Sequence, residues 1–208
     1  MIKEYFGIPG ATYRIMTNLS KYTEELFKEM YWKEIERKDK INSQLSLPAG
    51  ILLALAGVGA YYIRNSPFSH SGLWNISFIV LSAFLCISIV IAVYYFFRAY
   101  HLGYAYRYIP TPNEIYQYAL DLKSYYESIQ ESNADEMVEN DIRVFLTAMY
   151  SEHCTENTLN NDDKTKYLYR TNVAILISLI ILFFSLIPFC KTYHSDNKMR
   201  KSENVEKE

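Results

Sequence analysis

The sequence predicts an all-α membrane protein, with three transmembrane helices joined to a helical cytoplasmic region. Three uncharged stretches carry this reading. No Asp, Glu, Lys or Arg occurs between Lys40 and Arg64, between Arg64 and Arg98, or between Arg170 and Lys191. A bilayer core takes about 20 mostly apolar residues in helix, and a soluble core helix rarely stays uncharged that long. Basic residues collect at particular ends of these stretches, and helix-start signals occupy the polar remainder. Half of the 208 residues are hydrophobic, which is ordinary, so it is their distribution that sets the chain apart.

The first 43 residues form an N-terminal amphipathic arm. Its opening, "MIKEYFGIPGATYR", has charges and a Pro-Gly break in place of a continuous apolar run. It does not read as a cleavable signal peptide, and the first span is expected to act as the insertion signal. From about Asn18 the arm reads as helix, with apolar residues at Leu19, Tyr22, Leu26, Met30, Ile35 and Ile41, near the 3.6-residue period. Glu29–Lys33 and Glu36–Lys40 are favourable i,i+4 pairs. Acidic residues nearly match basic ones, which argues against a helix lying flat on the membrane and for one docked on the second polar region.

Residues 44–98 form a transmembrane hairpin with spans at Leu47–Ile63 and Leu73–Phe97. Span one places small residues at Gly50, Ala54 and Gly57, with Ala56 and Ala60 beside them. Small residues let helix backbones approach closely in lipid, so Gly50, Ala54 and Gly57 are the candidate helix-packing and oligomerisation residues. Packing inside one protomer and packing between protomers both satisfy this spacing. Span two offers Ser82, Cys86, Ser88 and Ala92. No span carries an internal ionisable residue, which argues against a proton relay, a voltage sensor or a transport site.

Residues 99–170 form the cytoplasmic helical region. In "YIPTPNEIYQYALDL", Thr111 stands as N-cap, Pro112 as the first helical residue and Glu114 as the third, the pattern of a capping box. The helix that follows puts Ile115, Ala119 and Leu122 on one face with Tyr118 and Tyr125 alongside. A second start lies at Asn133, with Glu136 three residues on. No Pro or Gly then intervenes before Pro188, so one long helix can run into the third transmembrane helix, residues 171–190, with its span at Asn172–Phe189. The stretch "NTLNNDDK" is its expected weak point, because Asn and Asp favour caps and turns. A polar tail, 191–208, follows.

Charge bias near span ends sets orientation. Lys28, Lys33, Arg37, Lys38 and Lys40 precede span one, the connector "RNSPFSHSG" offers only Arg64, and Arg98 and Arg107 follow span two. The expectation is a multi-pass membrane protein, N-terminus and residues 99–170 cytoplasmic, with the tail outside by continuity. From His101 to Arg170, twelve acidic and six basic residues make this region the expected place of partner contacts.

The chemistry-bearing candidates are few. Seven glycines form no phosphate-cradling loop, and a net charge of −2 forecasts no nucleic-acid-binding face. Glu152, His153, Cys154 and Glu156 form the best enzyme-like cluster, but adjacent residues on a helix point about 100° apart, and a polar helix face explains them. Cys86, Cys154 and Cys190 suggest neither a disulfide framework nor a zinc site. No cofactor is expected and no enzyme activity. Tyrosine is abundant, at 20 residues. Tyr61, Tyr62, Tyr94, Tyr95 and Tyr100 fall at span ends and read as headgroup-level anchors. A second set, among them Tyr104, Tyr106, Tyr108, Tyr116, Tyr118, Tyr125, Tyr126 and Tyr150, suits helix packing or a groove.

The run "IERKDKINSQLSLPAGILLALAGVGAYYI", the second span and the start of "YIPTPNEIYQYALDL" together resemble the small bacterial membrane effectors of antiphage defence, the two-span class called SLATT. The resemblance covers roughly residues 20 to 125 and is architectural more than motif-specific; the third span departs from the two-span pattern. It implies a homo-oligomer that perturbs or permeabilises the inner membrane when a cytoplasmic sensor or signalling protein reports infection. A membrane-anchored adaptor or assembly subunit that recruits a cytoplasmic partner is the alternative.

Overall fold

The computed structural model describes residues 21–65, 72–102 and 106–205. The described residues are helical almost throughout and contain no strand. Among the described residues five helices follow one another: α1 (Lys21–Gln44), α2 (Ser46–Asn65), α3 (Leu73–His101), α4 (Pro112–Ser128) and α5 (Ala134–Val205). Among the described residues three helical stretches are long and apolar enough to cross a membrane: Tyr22–Tyr62, which takes in α2, then Leu73–His101, and Ala134–Lys191 within α5. The chain is therefore an all-α, multi-pass membrane protein. The expected helix start at Asn18 and Leu19, Tyr104 and most of the "RNSPFSHSG" connector lie outside the described residues.

The chain divides into two compact units, one of residues 1–39 and 104–161, the other of residues 40–103 and 162–208. The second holds the spans, and much of its apolar surface faces outward. On α3, Ile76, Phe84, Ile87, Val90 and Phe97 are exposed, and on α5 so are Leu176, Ile180, Phe183 and Ile187. The interior contains Ser88, Thr171, Ser178 and Ser185 alongside apolar residues such as Leu55, Phe78 and Leu85. Lipid is as apolar as leucine, so burying leucine between helices brings no transfer gain, and small or hydrogen-bonding residues make the contacts. Ser88 donates to the Ala174 carbonyl at 3.3 Å and accepts from the Ser178 hydroxyl at 2.8 Å. Ala92 and Ala174 are buried nearby with Leu52, Leu55 and Ile175. Of the small residues of span two, Ser88 and Ala92 are thus used within the protomer, whereas Cys86 is exposed.

One reading of this unit needs correction. Tyr62, expected to anchor at the headgroups, is 4 % exposed. It stacks on Phe189 at 4.9 Å, meets Phe78 edge-on at 5.3 Å and accepts a 3.3 Å hydrogen bond from Ser185. Its phenol has a partner inside, which a headgroup-level ring would find in water. Tyr61, Tyr94 and Tyr100 do remain exposed. At the start of α2, Pro48 sits in the first turn, where its missing N–H costs no helix bond. A single residue, Leu45, separates α1 from α2.

On α1 the expected row holds at Ile35, which packs in the first unit's core, and at Ile41, which is buried, but not in its first half. Tyr22, Leu26 and Met30 are exposed, while Tyr31 is 1 % exposed and packs with Phe27, Ile35, Leu146, Tyr150 and Cys154. The two i,i+4 rows lie side by side on the same helix, and periodicity alone does not choose between them. The Tyr31–Tyr150 ring contact at 5.5 Å does.

The capping box at α4 is formed: Glu114 N–H donates to Thr111 Oγ1 at 3.4 Å, and Thr111 N–H donates to the Glu114 carboxylate at 2.8 Å. The Thr111 bonds hold the Glu114 carboxyl below its ordinary range. Thr111→Ala is expected to cost about 0.5–2 kcal/mol, the range for a lost N-cap; an unchanged thermal unfolding profile in detergent would mean that Pro112 and the later turns suffice. Along α4, Ile115, Tyr118, Ala119 and Leu122 are part-buried, and the fifth position of that face is Tyr126, not Tyr125, which is 58 % exposed. Tyr126 donates to the buried Asp141 at 2.6 Å. The helix stops in a Schellman arrangement, Gln130 N–H to Glu127 O and Glu131 N–H to Tyr126 O, both 3.1 Å, with Gln130 at φ 57° where glycine is usual.

The helix α5 begins at Ala134, directly after Asn133, and continues without a break through "NTLNNDDK" and past Pro188. The expected weak point is instead a set of tertiary contacts, because Asn157 and Asn161 are fully buried. Asn157 clamps the backbone of Arg107, accepting from its N–H at 2.9 Å and donating to its carbonyl at 3.0 Å. Asn161, one turn on, accepts from Tyr106 at 2.6 Å and donates to the Glu34 carbonyl and carboxylate at 2.9 and 2.7 Å. Ile109 N–H donates to Tyr31 at 3.3 Å. Residues 106–111 form no helix, and these side chains supply partners that regular structure would otherwise provide.

Candidate functional site

Span one holds the first candidate. Its inward face is Pro48, Leu52, Leu55 and Tyr62. Gly50, Ala54 and Gly57 are all exposed, as are Ala56 and Ala60. A Cβ built on Gly50 or Gly57 would meet nothing within 4 Å. The small-residue face is therefore not consumed by packing inside the protomer, the question the spacing left open. Leu47, Leu53 and Tyr61 are exposed on the same helix, so this face is apolar and, at its small residues, shallow.

The second candidate is a groove of about 330 Å³ in the first unit, lined by Tyr106, Tyr108, Thr111, Phe145, Met149 and His153 among others. Its size is at the lower end for a small-molecule or peptide-side-chain pocket, and its wall is mostly apolar and aromatic. The clamp on Arg107 and the Tyr106–Asn161 bond hold one wall, and α5 supplies the other. Lys38 closes on Tyr108, donating to its hydroxyl at 2.7 Å and lying 5.4 Å from the Tyr106 ring centre. Burial pushes the Tyr106 phenol up to about 12, and the Tyr118 phenol likewise to about 12. Both are neutral hydrogen-bonding groups at any physiological pH.

The cluster Glu152, His153, Cys154 and Glu156 is not brought together. Cys154 points into the core with Tyr31 and Tyr150, and burial pushes its thiol up, away from the reactive thiolate. His153 lines the groove, 4 % exposed, and burial lowers its imidazole pKa; its Nδ1 has no hydrogen-bond partner. Glu152 is exposed, and Glu156 pairs with Arg107 at 2.8 Å. Among the described residues no three His, Cys, Asp or Glu side chains gather that could hold a metal ion. No activated nucleophile faces the groove from this cluster.

Sequence reasoning singled out the small residues and the tyrosines but missed the asparagine pair that shapes the groove. Its only signal was the i,i+4 spacing of Asn157 and Asn161, identical to that of any helix face. No protein-family model, curated protein or solved structure matches the chain.

Proposed function

We propose that this chain is a non-enzymatic effector of the bacterial inner membrane that oligomerises through span one. In this reading it perturbs or permeabilises the membrane when a cytoplasmic sensor or signalling partner triggers it. The observation that carries the proposal is the outward, unfilled face at Gly50, Ala54 and Gly57. A protomer that leaves such a face to lipid forgoes helix contacts a second copy can supply. The sequence resemblance to SLATT effectors suggests antiphage defence as the setting. The groove beside His153 is then the receiving surface for the trigger, on the side assigned to the cytoplasm by Lys28, Lys33, Arg37, Lys38 and Lys40.

The adaptor reading draws on a separate observation. Tyr22, Leu26 and Met30 form an exposed apolar row on α1 that a recruited protein could cover. Membrane potential separates the two: an effector depolarises cells when triggered, and an adaptor does not. Orientation is tested independently by cysteine labelling. Sites added at Lys38 and Asp135 are expected to react only after the cells are opened; reaction from outside intact cells would reverse the topology.

A further inference from the structure

The uncharged stretch of α3 ends at Arg98, and that of α5 begins at Arg170. The two guanidinium groups share one aromatic platform. Arg98 donates to the Tyr167 hydroxyl at 3.2 Å and lies 5.1 Å from the centre of that ring. Arg170 lies 5.9 Å from the same ring and 5.6 Å from Tyr95, and the two rings are 6.4 Å apart. Both arginines are exposed, and neither forms an ion pair with a carboxylate among the described residues. Asp163 acts on Arg98 only at longer range.

We propose that Arg98 and Arg170, held on Tyr95 and Tyr167, bind the phosphodiester of an anionic phospholipid headgroup. Stacking on tyrosine faces limits the rotamers of each guanidinium while leaving N–H groups for an anion, and the planar fork matches phosphate oxygens. The position selects a lipid over a soluble anion or an acidic protein. Val90, Ile91 and Phe97 on α3, and Val173, Leu176 and Ile177 on α5, are exposed close by in sequence, where acyl chains would lie. Tyr94 and Tyr169, also exposed, add amphipathic rings beside the charges. The site requires only that α3 and α5 cross the bilayer; it is independent of effector activity.

The test uses the full chain in mild detergent, with phosphatidylglycerol, phosphatidylcholine or inorganic phosphate added, and counts retained lipid by native mass spectrometry. Wild type is expected to retain phosphatidylglycerol in preference to phosphatidylcholine. Arg98→Gln/Arg170→Gln is expected to weaken phosphatidylglycerol retention about tenfold or more, as loss of a charge-assisted hydrogen bond implies. Lys191→Gln, at the far end of the third span, should change nothing. Equal retention by the glutamine pair would overturn the site, as would displacement of the lipid by an equal concentration of inorganic phosphate. Should the glutamine pair fail to fold, Arg98→Lys/Arg170→Lys decides: it keeps both charges and loses the fork, so wild-type retention there would also overturn the assignment.

Discussion

Asn157→Ala is expected to destabilise the unit of residues 1–39 and 104–161 by about 1–3 kcal/mol, since the part-buried N–H and carbonyl of Arg107 lose their partner together. The amide of Asn157 satisfies both the N–H and the carbonyl of Arg107, and alanine satisfies neither. Nothing in the neighbouring chain replaces it in regular structure, because residues 106–111 are non-helical. Trp32, in edge contact with Tyr31 at 5.3 Å, makes a local fluorescence probe, and Trp74→Phe removes the tryptophan of the other unit. A denaturant titration of that background, with and without Asn157→Ala, measures the loss. Glu152→Ala, on the same helix but exposed, is the control and should stay within about 0.5 kcal/mol. Equal midpoints for the two variants would mean that water serves Arg107 as well as the amide does. Asn157→Asp should not rescue, because its second oxygen would face the Arg107 carbonyl.

These residues also mark where sequence reading stops. The spans were legible because charge is costly in lipid, so Lys40, Arg64, Arg98, Arg170 and Lys191 bracket them directly. The capping box was legible because all its partners lie within four residues, from Thr111 to Glu114. Asn157 and Asn161 were not, since their partners are 50 and 127 residues away, and locally the same residues argue for a turn. A similar limit explains α1. Tyr22–Leu26–Met30 and Phe27–Tyr31 both fit a helical stripe leading to Ile35, and the choice falls to Tyr150 and Leu146 on a distant segment. The end of α4 was silent for a different reason: Gln130 takes the left-handed position without the glycine that usually announces it. Span one is the opposite case. Its small residues were visible at once, but their use depended on which side of the helix Leu52 and Leu55 occupied.

That outward placement makes Gly57→Leu the most informative change in the span. Within the protomer the substitution is expected to be silent: no neighbouring atom lies within 4 Å of the new Cβ, and leucine suits lipid. Between protomers it should be disruptive, because a branched side chain holds apart backbones that a small residue lets approach. Crosslinked oligomers and triggered depolarisation are therefore expected to fall together, by about tenfold or more if roughly 1.4 kcal/mol or more of contact energy is lost at each interface. Val90→Leu, on the exposed face of α3, should leave both intact and controls for a generic effect of lipid-facing bulk. The readouts are membrane potential and crosslinking at matched expression, with the candidate trigger present. Depolarisation that persists after oligomers disappear would remove span one from the mechanism. A triggered wild type that never depolarises would leave α1's exposed Tyr22, Leu26 and Met30 as the better guide, and the chain would be read as an adaptor.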